Sequence, residues 1–133
     1  MENKISRFKA REQGFFLIFE KLFHPEPIEE IIENACESRE LEFDDYAVSL
    51  VNGVEEHKYE IDGEISAHLK KGWSLNRISK TSLAVMRLAV YEMKYEDSVP
   101  DSVAINEAVE LAKKYCYDDS RFINGVLGAV SRE

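Results

Sequence analysis

Apolar residues recur along this chain with helical spacing. From Ile5, the positions Phe8, Phe15, Phe16, Phe19, Leu22 and Phe23 fall three, four and seven apart. That spacing predicts an amphipathic helix of about five turns with Ser6 as its N-cap. His24-Pro25-Glu26-Pro27 stops it, because proline cannot continue a helix and constrains the residue before it. Ile28, Ile31, Ile32 and Ala35 then mark a second helix from Ile28 to about Ser38. Asp44 and Asp45 stand where carboxylates suit a helix start. Behind them Tyr46, Leu50, Val54, His57, Ile61, Ile65 and Leu69 form one stripe. It predicts a single long helix over 45–70, bent near Gly53 or Gly63 and broken at Gly72-Trp73-Ser74.

Leu75 to Ser79 predicts a short helical turn. The next helix, capped by Ser79, Thr81 or Ser82, carries Leu83, Val85, Met86, Leu88, Ala89, Val90 and Met93. Apolar residues surround most of its circumference, so it is expected at the centre of the fold. Val99-Pro100-Asp101-Ser102 separates it from a helix bearing Ala104, Ala108, Leu111 and Tyr115 on one row. Asp118-Asp119-Ser120 is expected to cap the last helix, with Phe122, Ile123, Val126, Leu127 and Val130 turned inward. No stretch alternates with period two. The expectation is an all-α, compact bundle of about seven helices. It is read as one domain over 1–133, with packed subdomains of about 1–72 and 73–133.

Composition fits that picture. The chain has 133 residues, 44% hydrophobic and 32% charged, with only 6 Gly and 3 Pro. This is a globular composition rather than a disordered one. Cys36 and Cys116 lie far apart, in no Cys-x-x-Cys spacing, so neither a disulfide framework nor a zinc site is expected. No signal peptide opens the chain and no apolar run is long enough to span a membrane, which predicts a cytoplasmic protein.

The net charge of −9 speaks against nucleic acid when taken whole, but it is unevenly spread. Residues 1–11 hold Lys4, Arg7, Lys9 and Arg11 against Glu2 alone. Residues 12–69 hold 16 acids and three bases, whereas residues 70–133 are nearly balanced, with ten bases and nine acids. A basic end, an acidic middle and a nearly neutral remainder result; a solvated acidic face and an ordinary basic terminus account for that pattern, which by itself is only suggestive of a partner.

Catalytic chemistry has no foothold. There is no glycine-rich phosphate loop and no nucleophile elbow. His24, His57 and His68 lack ligand spacing; His57 sits on the apolar stripe, where a core or boundary role suits it better. Neither an enzyme nor a cofactor is expected.

Four segments together resemble the NusB family of bacterial transcription antitermination factors. They are Ala10-Arg11-Glu12 at the head of the aromatic helix; Leu50-Val51-Asn52-Gly53-Val54 followed by Ile61-Asp62; Met86-Arg87-Leu88-Ala89-Val90-Tyr91-Glu92; and the run from Val103 to Lys113 with Asp119-Ser120 and Phe122-Ile123-Asn124-Gly125-Val126-Leu127. The last is the most specific, and the order and spacing match over nearly the whole chain. The resemblance implies an all-helical fold and no catalysis. It implies binding of the boxA segment of nascent ribosomal RNA, a heterodimer with the small-subunit ribosomal protein NusE, and entry of that pair into a complex with RNA polymerase and other Nus factors.

The resemblance also places residues. Lys4, Arg7, Lys9 and Arg11 are expected on the RNA surface together with Asp119, Ser120, Arg121 and Phe122. Phe122 is open to two roles, stacking on a base or packing in the core. The NusE surface is expected at Phe19 and Phe23, with Asn76, Arg77 and Ser82 at the turn before the central helix. Two departures stand out. The N-terminal segment mixes lysine with arginine where some members have a denser arginine run, and a single residue separates Ser120 from Phe122 where many have two. Two other readings compete: a homodimeric protein-interaction module, and the accessory domain of a ribosomal-RNA methyltransferase. The second is disfavoured because nothing after residue 133 is present to bind a methyl donor.

Overall fold

The structure is a computed structural model that describes residues 5–39 and 42–132. Seven α-helices and two 3-10 turns make up the described chain, with no strand. They are α1 (Arg7–Lys21), α2 (Ile28–Arg39), α3 (Asp45–Glu56), α4 (Lys58–Ala67), α5 (Lys80–Tyr95), α6 (Asp101–Tyr115) and α7 (Ser120–Ser131). The 3-10 turns, Leu75–Arg77 and Tyr117–Asp119, precede α5 and α7.

Helix starts follow the side chains that can satisfy orphan amides. Ser6 Oγ accepts from the Lys9 amide at 3.1 Å, Asp44 from Tyr46 at 2.9 Å, and Ser79 from Ser82 at 3.1 Å. Pro100 precedes α6 with its backbone extended. The last helix differs from expectation. Neither Asp118 nor Asp119 caps α7 through its side chain, because Tyr117–Asp119 first makes a 3-10 turn and the Asp119 carboxylate points elsewhere.

Two further expectations are corrected. The first helix is 15 residues long, close to four turns rather than five. The single helix over 45–70 is two helices, divided at His57, where φ is −109° and ψ is 18°. Neither glycine makes the break. Gly53 lies inside α3, and a Cβ there would come within 2.3 Å of the Tyr91 ring, so glycine lets α3 and α5 approach. The His57 ring instead lies flat against Tyr95, with centroids 3.9 Å apart and 14° between planes.

The centre is α5, which touches α1, α3, α4, α6 and α7. Val85, Met86, Ala89 and Val90 on it are fully buried, as its apolar circumference requires. One apolar core runs from Phe15 and Leu17 on α1 through Leu50, Ile61 and Leu88 to Leu127 on α7. Arg87 on α5 grips Asp62 on α4 with two parallel hydrogen bonds of 2.8 Å each. Cys36 and Cys116 are free thiols. Among the described residues no helix is long and apolar enough to cross a membrane.

Candidate nucleic-acid interface

The basic N-terminal segment divides into two populations. Arg7 and Lys9 are exposed on the first turns of α1. Arg7 lies over the Tyr46 ring, 3.9 Å from its centroid, and Lys9 stands 3.5 Å from Glu12. Arg11 points the other way and is 3% exposed. Its Nε donates to both oxygens of Glu92 at 2.9 Å, and a second guanidinium nitrogen lies 3.6 Å from Glu107. Glu92 is itself fully buried and also accepts from the Tyr46 hydroxyl. Burial and the adjoining Glu92 carboxylate push the Tyr46 phenol well above its usual value, so it stays protonated and remains a donor.

Arg11 is therefore corrected from an RNA-contacting cation to an internal one. Its charge neutralises a buried carboxylate and joins α1 to α5 and α6, and almost none of it faces solvent. Lys4 lies outside the described residues.

The head of α7 comes to the same end of the molecule. Glu12 on α1 accepts from the Tyr115 hydroxyl at 2.6 Å and pairs with Lys114, both at the end of α6. Burial alone pushes the Glu12 carboxyl upward. The hydrogen bonds from Lys114 and Tyr115, with the charges of Lys114 and Lys9, outweigh it and hold the group below the ordinary value of 4.5. Only Cys116 and the Tyr117–Asp119 turn then intervene before Ser120 opens α7.

At that head Arg121 is exposed, while Ser120 and Phe122 are half-buried. Asp119 is spoken for. Its Oδ2 accepts from Ser82 Oγ at 2.7 Å and from Ser79 Oγ at 3.4 Å, pinning the α7 head to the first turn of α5. Burial, with the nearby Asp119 charge, raises the Cys116 thiol against a smaller opposing hydrogen bond from Ser82, so this thiol stays neutral at physiological pH.

The partner-side residues separate as well. Phe19 is half-buried, whereas Phe23 is 54% exposed, and the two rings meet edge-on at 5.0 Å. Phe15 continues the ladder, 5.0 Å from the Tyr115 ring. Asn76 and Arg77 are exposed in the 3-10 turn before α5. Ser82 is fully buried, and its hydroxyl is committed to Asp119. It is corrected from a partner contact to an internal one.

One residue of the surface has no place in the sequence expectations beyond stopping a helix. Trp73 is 46% exposed, and its ring faces Phe122 with centroids 6.2 Å apart. Arg77 lies 5.9 Å from the same ring. A signal for it exists in the sequence: from residue 65 to 91 there are five lysines and arginines and no Asp or Glu. The neutral balance of the wider C-terminal half hides that run.

Comparison with known proteins gives one consistent answer. The NusB family profile matches residues 9–132. A transcription antitermination protein NusB from Acetivibrio thermocellus is 46% identical over 129 residues, covering 95% of this chain and 88% of the relative. One from Clostridium botulinum strain Loch Maree is 40% identical over 139 residues, covering 93% and 98%. Among solved structures, T. maritima NusB superposes with a TM-score of 0.83 at 34% identity, covering 98% of this chain and 94% of that one. A structure of antitermination factors NusB and NusE in complex with double-stranded RNA superposes with a TM-score of 0.82 at 28% identity, covering 96% and 98%. Helix order, the match in length and these identities lead to one conclusion: the chain belongs to the NusB family.

Proposed function

We propose that this chain is a transcription antitermination factor that binds the boxA segment of nascent ribosomal RNA jointly with a NusE partner. The observation that carries the reading is likeness over nearly full length to relatives named as antitermination proteins, one of them 46% identical over 95% of this chain. The solved complex of NusB with NusE and RNA supports the same pair of partners. In this reading the pair then joins RNA polymerase and other Nus factors in the cytoplasm, and no catalytic step is involved.

Arg7 and Lys9 on α1, with Arg121 and Phe122 on α7, are the proposed RNA-facing groups. Cations there neutralise phosphates, and a half-buried ring offers a face to a base. Phe19 and Phe23 form the proposed NusE surface, and a homodimer through the same rings is a competing use of it. The acidic middle of the chain suits a basic ribosomal protein through long-range attraction that salt screens.

The test is a titration of fluorescein-labelled boxA RNA with the chain alone, with NusE alone and with both, across a salt series. Positive coupling is expected, the mixture binding more tightly than either component. No gain from mixing would overturn the reading. Reversing Arg7 and Lys9 to glutamate should weaken binding and flatten its salt slope.

A further inference from the structure

The turn before α5 carries chemistry beyond the groups placed so far. Its segment carries Lys70, Lys71, Arg77 and Lys80 with no acid among them, and all four side chains are exposed. Among the described residues none of the four enters an ion pair. This distinguishes them from Arg11, Arg87, Lys58 and Lys114, each of which faces a carboxylate. In the middle of these unneutralised cations stands an exposed indole.

The backbone presents that indole deliberately. The Trp73 amide donates to the Lys70 carbonyl at 2.9 Å, closing a turn in which Gly72 has φ +89°. A positive φ at that position is the mark of a type II turn and favours glycine. The turn lifts Trp73 out of the chain path, and Phe122 supports the ring from the head of α7. The Arg77 guanidinium lies over the ring at 5.9 Å from its centroid, at the outer edge of cation–π contact. Asp119 accepts from Ser82 and Ser79, which fixes its carboxylate at the start of α5 but leaves its charge in place.

We propose that Trp73 is a stacking platform for an unpaired RNA base, flanked by Arg77 and by phosphate-neutralising lysines. This deepens the RNA reading given above and rests on it. Unneutralised cations supply the sequence-independent attraction to phosphate, and an aromatic face among them takes any base that is free to leave a stack. Bases inside a duplex are not free to do so, so the platform discriminates single-stranded from double-stranded RNA. The assignment moves Arg77 from the partner side to the RNA side of the molecule.

Trp73 is the sole tryptophan of the chain, so its emission reports on this site alone. The experiment uses a fluorescein-labelled single-stranded 12-mer carrying boxA and the same strand annealed to its complement. Anisotropy titrations compare the wild-type chain with Trp73→Ala and Trp73→Phe, alone and mixed with NusE. The Trp73 emission of the unmixed wild-type chain is read with unlabelled RNA. Quenching by the single strand and not by the duplex is expected. Trp73→Ala should bind the single strand on the order of tenfold more weakly and the duplex almost unchanged, with Trp73→Phe recovering much of the loss. Lys70→Ala with Lys71→Ala should lower the single-strand salt slope by about 1.4.

Unquenched emission together with an unaltered single-strand affinity of Trp73→Ala would overturn the platform while leaving the RNA reading intact. Loss of NusE capture by Trp73→Ala in the absence of RNA, with RNA affinity unaltered, would also overturn it and give the ring to the protein partner. Failure of the wild-type chain to bind either RNA, with or without NusE, would remove both the platform and the function it rests on.

Discussion

Two basic stretches of this chain are alike in the sequence and opposite in the fold. Residues 4–11 and 70–80 each hold four lysines and arginines. In the first, Arg11 is buried against Glu92, Lys9 faces Glu12 and Arg7 rests on Tyr46. In the second, Lys70, Lys71, Arg77 and Lys80 all reach solvent without a carboxylate partner. Charge counted along a chain is thus not charge available to a ligand. A cation on a helix face that turns toward a buried acid is part of the fold, and one on a turn is not.

The two stretches differ most at Arg11. Arg11→Ala leaves Glu92 buried and unpaired, which should cost about 3 to 5 kcal/mol of stability. Urea unfolding would measure it, with Lys80→Ala on the other stretch expected within about 0.5 kcal/mol of wild type. Comparable small losses in both variants would mean that Arg11 is not the internal ion described here. Arg11→Met with Glu92→Leu should recover much of the loss, because the cost lies in the orphaned charge rather than in the missing attraction.

The next largest effect is at Asp119, which ties the head of α7 to the start of α5. Asp119→Ala removes the acceptor at 2.7 Å from the buried Ser82 hydroxyl and leaves Cys116 Sγ, at 3.6 Å, as a weak alternative. A loss of about 1 to 3 kcal/mol is expected in thermal unfolding. If Asp119 instead serves as an exposed RNA acceptor, the variant will keep its stability and lose only RNA affinity.

Arg11, Asp119 and Ser82 show where the sequence is legible and where it stops. Helix number, order and most termini follow from apolar period and capping residues, because those are local effects. The division at His57 does not follow, since glycine is the local sign of a break and the stack on Tyr95 is a tertiary contact. The site is less legible still. Whether Arg11 faces RNA or Glu92 depends on a residue 81 positions away. Trp73 gains meaning only when Phe122 arrives beside it from another helix. Family likeness names the elements that form the surface, but not which side chains on them remain free.

In the second stretch, Gly72 shapes the turn that carries Trp73. A Cβ there would meet nothing within 4 Å, so a substitution acts through the backbone alone. With φ at +89°, Gly72→Ala should cost about 1 to 2 kcal/mol. Trp73 emission should shift as the turn relaxes. An unshifted spectrum and unchanged stability would show that the turn does not set the ring.

The smallest effect separates the two stretches by acid. Glu12 is held below its ordinary value of 4.5 by Lys9 on its own helix and by Lys114 and Tyr115 at the end of α6. A depressed folded-state value means that the unfolded chain takes up the proton first as pH falls. The stabilisation is therefore complete above 4.5 and is lost progressively as pH drops through the lower folded value. Glu12→Gln should flatten this part of the acid limb of a stability-against-pH curve, with little change in its slope near neutrality. Lys70→Ala with Lys71→Ala should leave the limb parallel to wild type, because no carboxylate on the described surface depends on those two cations. Chemical unfolding at a series of pH values below neutrality makes the measurement. Parallel limbs for wild type and Glu12→Gln would show that the Glu12 cluster is solvated, and would erase this difference between the two basic stretches.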